Sequence, residues 1–473
     1  MDDRVLLAAV LADPDDDLPR LAYADWLEET GNEARAEFIR AQIELAHLPL
    51  ADDRHAALLA RCRMLQRCFG AEWLGEVPPS LVVDQFERGF PVRVGLRPRR
   101  LPERVLKGPD FAALDRVMHL FPLHTFRAEL IGAVVPTMIR FPTATHYPGR
   151  GDSPLERLAR WEPLRRFSTL DFGRDGIVTG QGDFEPGIEA LAASPHVHQV
   201  AALRLSGLLL GENAVRLIAE SPHLSCLRAV DLRHNVPLID HQGVLLETNL
   251  AERLEVIDGI DLVTAGRWLH RPGCRLRELG ITIDPYRDHP ETTDAAFLVG
   301  APGLAGLRRL TLHFEGPAAW QERPPERDEV LRVEHLMELL ACPALGQLEE
   351  LNLCGVGLHD GEITALPQLP SLRNLVTLRL RRCLLNGALV AYLRAFLIHG
   401  RLRRLDLSCN GLNNAGARML ASWPELARLH ELCLDANDIG PPGFEAITRS
   451  PNRNAWLHLT GELPPAGEAL LGV

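Results

Sequence analysis

A spacing of 27 residues recurs through the C-terminal part of this chain, and it limits the possible fold more than any other feature. Leu351, Leu378, Leu405 and Leu432 keep it. They lie in four aligned segments: "LGQLEELNLCGVGL" from Leu345, "LRNLVTLRLRRCLL" from Leu372, "GRLRRLDLSCNGL" from Gly400 and "LARLHELCLDANDI" from Leu426. Apolar side chains follow the order L-x-x-L-x-x-L-x-L, leading to Cys383, Asn410 or Asn437 and a further aliphatic residue. Prolines hold the same beat, from Pro343 to Pro370, Pro424 to Pro451 and Pro195 to Pro222. Two independent residue types kept in phase at such a period mark stacked repeats. A chain of 473 residues is also long for one compact core, so a repeat array or several units is expected.

Each repeat has a physical reading. The L-x-L pair fits a short strand with both leucines facing inward and the residue between them facing out. Helical stretches such as "NAGARMLASWP" and "PGFEAITRSP" follow and stop at a proline, which cannot continue a helix and restricts the residue before it. One unit cannot bury its own apolar face, so neighbours must stack. The pattern resembles the leucine-rich repeat in its longer, ribonuclease-inhibitor-like form. That resemblance implies an α/β solenoid, a right-handed horseshoe with parallel strands on the concave face and helices outside. It also implies that Cys383, Asn410 and Asn437 turn the chain out of the strand and tie their side chains to nearby backbone.

Walking towards the N-terminus, the same offsets fall at Leu310/Leu312, Leu279/Ile281, Ile260/Leu262, Val230/Leu232, Leu203/Leu205 and Leu170/Phe172, and Leu457/Leu459 suggest a closing strand. The beat breaks between Val230 and Leu351, with one short rung and the "EGPAAWQERPPERDEV" insertion from Glu315, read as a protruding loop. "FERGFPVRVGL" from Phe86 and "LFPLHTFRAEL" from Leu120 read as degenerate opening rungs, and the segment from Thr137 as irregular. The solenoid is therefore expected over 86–473, with opening rungs in 86–160, the insertion at about 313–335 and regular rungs over 345–460.

Residues 1–80 lack the repeat and read as a small all-α domain. Helices are expected at Asp2–Ala12, Asp17–Thr30, Asn32–His47 and Ala51–Phe69, with Gly31 as a left-handed cap and Asn32 as an N-cap. Leu18, Leu21, Ala22 and Trp26 share one helix flank, and Phe38, Ile39, Ile43 and Ala46 another. "LAAVLADPDDDLPRLAYADWLEETGNEARAEFIRAQIELA" resembles the short repeat-companion domain that precedes variable, often leucine-rich, repeat arrays in bacteria. Arg20, Asp25, Trp26, Leu27, Glu28, Arg35, Glu37, Phe38 and Ile39 carry the resemblance, which implies an architecture and no activity. Asp25 and Glu37 are expected to pair with Arg20, Arg35 or Arg40 across the helical hairpin; catalysis by the two carboxylates would need a cleft and a raised pKa. Whether the domain caps the solenoid's first rung stands as an expectation.

Composition narrows the function classes. The net charge is -12 and the pI about 5.9, against the basic stripe of a sequence-independent nucleic-acid binder. Lys107 is the one lysine, which excludes a phosphate-binding loop ending in Gly-Lys and the strand lysine of a protein kinase. "DFG" at Asp171–Gly173 therefore reads as strand rather than as kinase metal loop. The acidic start is unlike a secretory signal and no apolar run reaches membrane length. Nine cysteines without a Cys-x-x-Cys pair read as reduced and buried, so a cytoplasmic setting is expected. His196, His198, His234 and His241 lack standard zinc spacing. "GQGD" from Gly180 and "GAPGLAG" from Gly300 lack the strand-then-helix context of a dinucleotide fingerprint. Cys354, Cys409 and Cys433 lack a flanking group that would lower a thiol pKa. No cofactor or metal is expected.

What remains is the outward column between paired leucines: Asp171, Arg204, Asp231, Asp261, Gly280, Thr311, Asn352, Arg379, Asp406 and Cys433. Arg233, His313, Glu350, Arg381, Arg404, Glu431 and Asp435 flank it. Neighbouring strands lie about 4.8 Å apart, so opposite charges such as Arg379 and Asp406 can pair across them. Such a ladder can satisfy itself and serve only as a soluble surface. The alternative is a mixed-charge face for a protein partner, with Arg204, Asp231, Arg233, Asp261, Asn352, Arg379, Arg381, Arg404, Asp406, Glu431 and Asp435 as candidate contacts. The expectation is a non-enzymatic scaffold or adaptor for a protein, with no nucleic acid or membrane partner. Regulation of an enzyme from the same face is the alternative, and substrate recognition within an enzyme a more distant one.

Overall fold

The computed structural model describes residues 3–79, 81–96, 113, 117–118, 120–127, 154–173, 185–208, 210–235, 243–283, 294–314, 333, 335–358, 360–455 and 457–460. The insertion from Glu315, the segment from Thr137, "GQGD" and His241 lie outside them. The chain divides into two compact units, 1–48 with 61–254, and 49–60 with 255–473.

The first unit opens with helices α1 (Asp3–Ala12), α2 (Asp17–Glu29) and α3 (Glu33–His47); α4 (Arg54–Leu74) follows in sequence. Gly31 adopts the expected left-handed conformation, φ 87°. Asn32 occupies the N-cap position but its side chain makes no capping bond; the side-chain cap in this region belongs to Asp16, which accepts from the Leu18 N–H. The buried flank of α2 differs from expectation. Leu18 is 71% exposed, whereas Arg20, Ala24 and Leu27 are buried. The reason lies in what arrives opposite: strands β1 (Leu81–Glu87) and β2 (Phe90–Leu96) form a hairpin whose Phe90 joins Val10, Ala24, Leu27, Ala36, Ile39 and Ile43 in one core. The Arg20 guanidinium lies 5.5 Å from the Phe90 ring centre. On α3, Phe38, Ile39 and Ile43 are buried as expected, while Ala46 is exposed.

β1 and β2 are antiparallel, a correction to the opening rung placed at Phe86. The first strand starts at Leu81, and the turn at Arg88–Gly89 returns the chain along it. Parallel pairing begins after the hairpin, from β2 to β3 (Thr125–Arg127), β4 (Thr169–Asp171), β5 (Ala202–Arg204) and β6 (Ala229–Asp231).

The second unit carries strands β7 (Val256–Ile260), β8 (Glu278–Ile283), β9 (Arg309–Phe314), β10 (Glu350–Cys354), β11 (Thr377–Arg381), β12 (Arg404–Asp406), β13 (Glu431–Cys433) and β14 (His458–Thr460), each parallel to the next. Leu279, Leu310, Leu351, Leu378, Leu405 and Leu432 align in register and are buried. The rung placed at Ile260/Leu262 is corrected. The strand ends at Ile260, its inward residue is Ile257, and a register shift occurs at Gly259. Asp261 instead caps the helix Leu262–Leu269, accepting from Thr264 N at 2.7 Å and Thr264 Oγ1 at 2.9 Å. With a helix starting directly after the strand, this rung is short. At the end, Leu459 rather than Leu457 aligns with Leu432.

Three devices join rung to rung. Buried Asn410 accepts from the backbone N–H of Cys383 and Leu385 on the preceding rung and donates to the Leu380 and Leu407 carbonyls, at 2.7–3.1 Å. Asn437 repeats this one rung on, and Asn235 does so in the first unit. Where Cys383 replaces Asn, its thiol donates to the Leu353 carbonyl at 3.2 Å. Second, the residue before each of these, His234, Arg382, Cys409 and Ala436, has positive φ between 52° and 58°, sending the chain out of the strand. Third, in the Ser-Pro pairs at Ser194, Ser221 and Ser450 the hydroxyl donates at 2.5 Å to a carbonyl at the end of the previous helix, Ala159, Ala192 or Ala421. The prolines do more than stop helices. Pro195, Pro302, Pro343, Pro370 and Pro424 each start a 3-10 turn that leads into a strand, since their fixed φ suits a first helical position. Parallel strands, an Asn ladder and returning helices make this an α/β leucine-rich-repeat fold with a helical N-terminal segment.

Candidate functional site: the outward strand face

On the second unit the outward residues form a charge row across four strands. Arg309 reaches Glu278 at 2.5 Å and Glu350 at 3.1 Å, and Glu350 also receives Arg379. Glu350 is the centre of the row, its side chain only 15% exposed. The expected pairing of Arg379 with Asp406 is not formed, although the two stand opposite in register. Asp406 is short and lies at its strand's end, where its carboxylate accepts from the Ser408 N–H at 2.9 Å and from the Ser408 hydroxyl. Arg379 is long enough to reach the carboxylate of Glu350 on the other side. Arg404 and Glu431 sit 3.5 Å apart, and Asp435 accepts from Thr460 Oγ1 at 2.6 Å. Arg381 has its basicity raised despite burial, with Cys409 and Asp406 among the groups acting on it.

Asp406 is one of a set. In the first unit Asp171 accepts from the Gly173 N–H and Asp231 from the Arg233 N–H, each at 3.1 Å. An aspartate that bonds its own backbone two residues on closes a turn, so these carboxylates end strands. Asp231 also holds Arg233 at 2.7 Å, and Asp171 lies 3.5 Å from Arg204, whose side chain is 55% exposed. Phe172 is fully buried, so "DFG" is the end of a strand followed by this turn.

Of the eleven candidate contacts, Asp231, Asp406 and Asp261 are committed to turns or a helix cap, and Asp261 is not on the strand face at all. The column position opposite Gly280 belongs to Asp258. A Cβ at Gly280 would stand 1.8 Å from the Asp258 carboxylate oxygen, so the glycine makes room for it. Asn352 presents a half-buried side chain between the inward leucines Leu351 and Leu353. Glu278 and Arg309, absent from the expected set, are part of the charge row; their signal was their position directly before the first inward leucine, as for Glu350. Asp25 pairs with Arg40 at 2.7 Å as expected, and Glu28 joins it at 2.6 Å. Glu37 instead pairs with Arg61 of α4 at 2.5 Å, because α3 presents that face to α4. Arg35 pairs with neither acid: it is buried over Trp73, 4.7 Å from the ring centre, and burial lowers its pKa to about 10.

Burial pushes the thiols of Cys354 and Cys433 up to about 11, the opposite of what a nucleophile needs. Among the described residues no three His, Cys, Asp or Glu side chains converge as a metal site, and no helix is long and apolar enough to cross a membrane.

No protein-family model matches the chain, and none of the curated proteins compared with it is similar. Solved structures are similar at low level. An internalin from Listeria monocytogenes shares 15% identity over 75% of this chain and 71% of its own, with a TM-score of 0.29. A leucine-rich-repeat protein of Leptospira interrogans shares 16% over 65% and 62%, with a TM-score of 0.27. Human trophoblast glycoprotein shares 22% over 51% and 71%, with a TM-score of 0.25. The repeat assignment rests on this chain's own strand register and asparagine ladder.

Proposed function

We propose that the chain is a non-enzymatic protein-binding scaffold and that the outward strand face of the second unit receives the partner. The observation that carries this reading is the run of consecutive in-register strands from β8 to β13. They display Glu278, Arg309, Glu350 and Arg379 beside Thr311 and Asn352 as one uninterrupted array. An extended array of alternating charge matches another macromolecule's surface better than a small ligand, which calls for a concave, mostly apolar pocket. Internal pairing lowers the electrostatic reward for a partner, so affinity would come from the less committed positions, Asn352 and Arg404, the latter 3.5 Å from Glu431. Aromatic anchors, which dominate many tight interfaces, are scarce in the column.

The test compares wild type with Asn352→Arg in co-purification from a native extract. Asn352 supports no turn, so the variant should fold and keep its thermal midpoint. A protein recovered by wild type and lost by the folded variant supports this face. Equal recovery of the same protein by both moves the binding site elsewhere.

A further inference from the structure

Residues 49–60 belong with the second unit and lie at the edge where β12 and β13 begin. Arg403, directly before β12, donates to the Ala51 carbonyl at 3.2 Å and comes within 3.5 Å of the Asp53 carboxylate. His430, directly before β13, stacks on His55 with ring centres 5.9 Å apart and planes 6° from parallel. Both histidines are buried, at 7% and 6% exposure. His430 Nδ1 has no hydrogen-bond partner among the described residues. These contacts are made by groups that can change charge or be displaced.

We propose that residues 49–60 form a releasable strap over the strand-entry edge of β12 and β13. The strap is closed by the His55–His430 stack and Arg403, and opened by protonation of His430. The charges around the stack are one-sided. Arg403 and Arg404 face His430 from β12, His458 follows on β14, and Glu431 is its neighbour in β13. The strap contributes Asp52, Asp53 and Arg54. A proton on His430 would sit in a buried site against Arg403, Arg404 and His55, with Asp53 acting in the opposite sense. Burial first, then Arg403 and His55, hold its pKa down to about 4. In the open state the His430 ring meets water and regains ordinary basicity near 6.5. The open state therefore binds more protons below that value, and acid favours it. Opening exposes Arg403, Arg404 and His430 together as a cationic edge.

Hydrogen exchange on the full chain between pH 7 and pH 5 tests this, where carboxylates stay ionised. Rates are corrected for the intrinsic pH dependence of exchange. In wild type, protection of the amides of 54–60 should fall below pH 6.5 by about tenfold per pH unit as His430 protonates only when open, while β12 and β13 stay protected. The double variant His55→Phe/His430→Phe keeps a ring stack without titrating, and its strap should stay protected at pH 5. Arg403→Gln should weaken the strap at every pH. A wild-type strap equally protected at pH 7 and 5, or an acid response unchanged in a double variant whose β12 and β13 amides remain protected, overturns the proposal. Should the double variant fail to fold, His430→Phe alone, which removes the titrating ring, decides in the same way.

Discussion

Asn352 and Asn410 are the same residue type two rungs apart with opposite roles. Asn410 is fully buried and spends its amide on two N–H groups and three carbonyls of neighbouring turns. Removing it strands buried backbone groups, each worth about 1–3 kcal/mol. Asn410→Ala should cost about 3 kcal/mol or more and Asn352→Ala less than about 0.5 kcal/mol, measured by urea unfolding. A comparable cost for both would show that the ladder bonds are not what stabilises the rung. The distinction was partly legible: an Asn at the strand exit followed the repeat, whereas Asn352 lay between inward leucines. The aspartates were less legible. Asp406 looks like a partner for Arg379 in the sequence, but a short carboxylate reaches its own turn more easily than a neighbouring strand.

At the scale of elements, the hairpin turn at Gly89 joins the helices to the sheet. A Cβ at Gly89 would approach Ile39 to 2.4 Å, and the residue has φ +86°. Gln42 clasps the same turn, accepting from the Gly89 N–H at 2.8 Å and donating to the Phe86 carbonyl at 3.3 Å. Gly89→Ala therefore meets both a disfavoured backbone and a rigid neighbour, and should cost more than about 1 kcal/mol. Denaturation followed by tryptophan fluorescence checks this; an unchanged midpoint would mean that the turn is free to move off α3. "FERGFPVRVGL" reads in the sequence as an opening rung, yet the direction of its strand depends on what packs beside it. An antiparallel hairpin and a degenerate parallel rung present the same alternating residues, and α3 selects the hairpin through Ile39, Gln42 and the shared Phe90 core.

At the scale of the molecule, His430 makes the second unit's stability depend on pH. Its pKa is about 4 when folded against 6.5 as a free side chain, so the unfolded chain takes up the proton first. Stability is then level above about pH 6.5 and declines as pH falls from there towards 4. Thermal unfolding across pH 4–8 should show this decline, and His430→Gln should flatten it; equal slopes in both would place the proton uptake elsewhere.

Period and inward pattern were determined by the sequence itself, because stacking repeats demands apolar side chains at fixed intervals and each rung contacts mainly its neighbours. Local chemistry of that kind includes the asparagine exits, the proline beat and the Gly31 cap. Only the tertiary structure decided which acid each arginine holds, that Asp261 caps a helix, and that residues 49–60 meet His430. Those outcomes depend on side-chain reach and on segments hundreds of residues apart in the chain arriving at one place, and no spacing along a sequence records that distance.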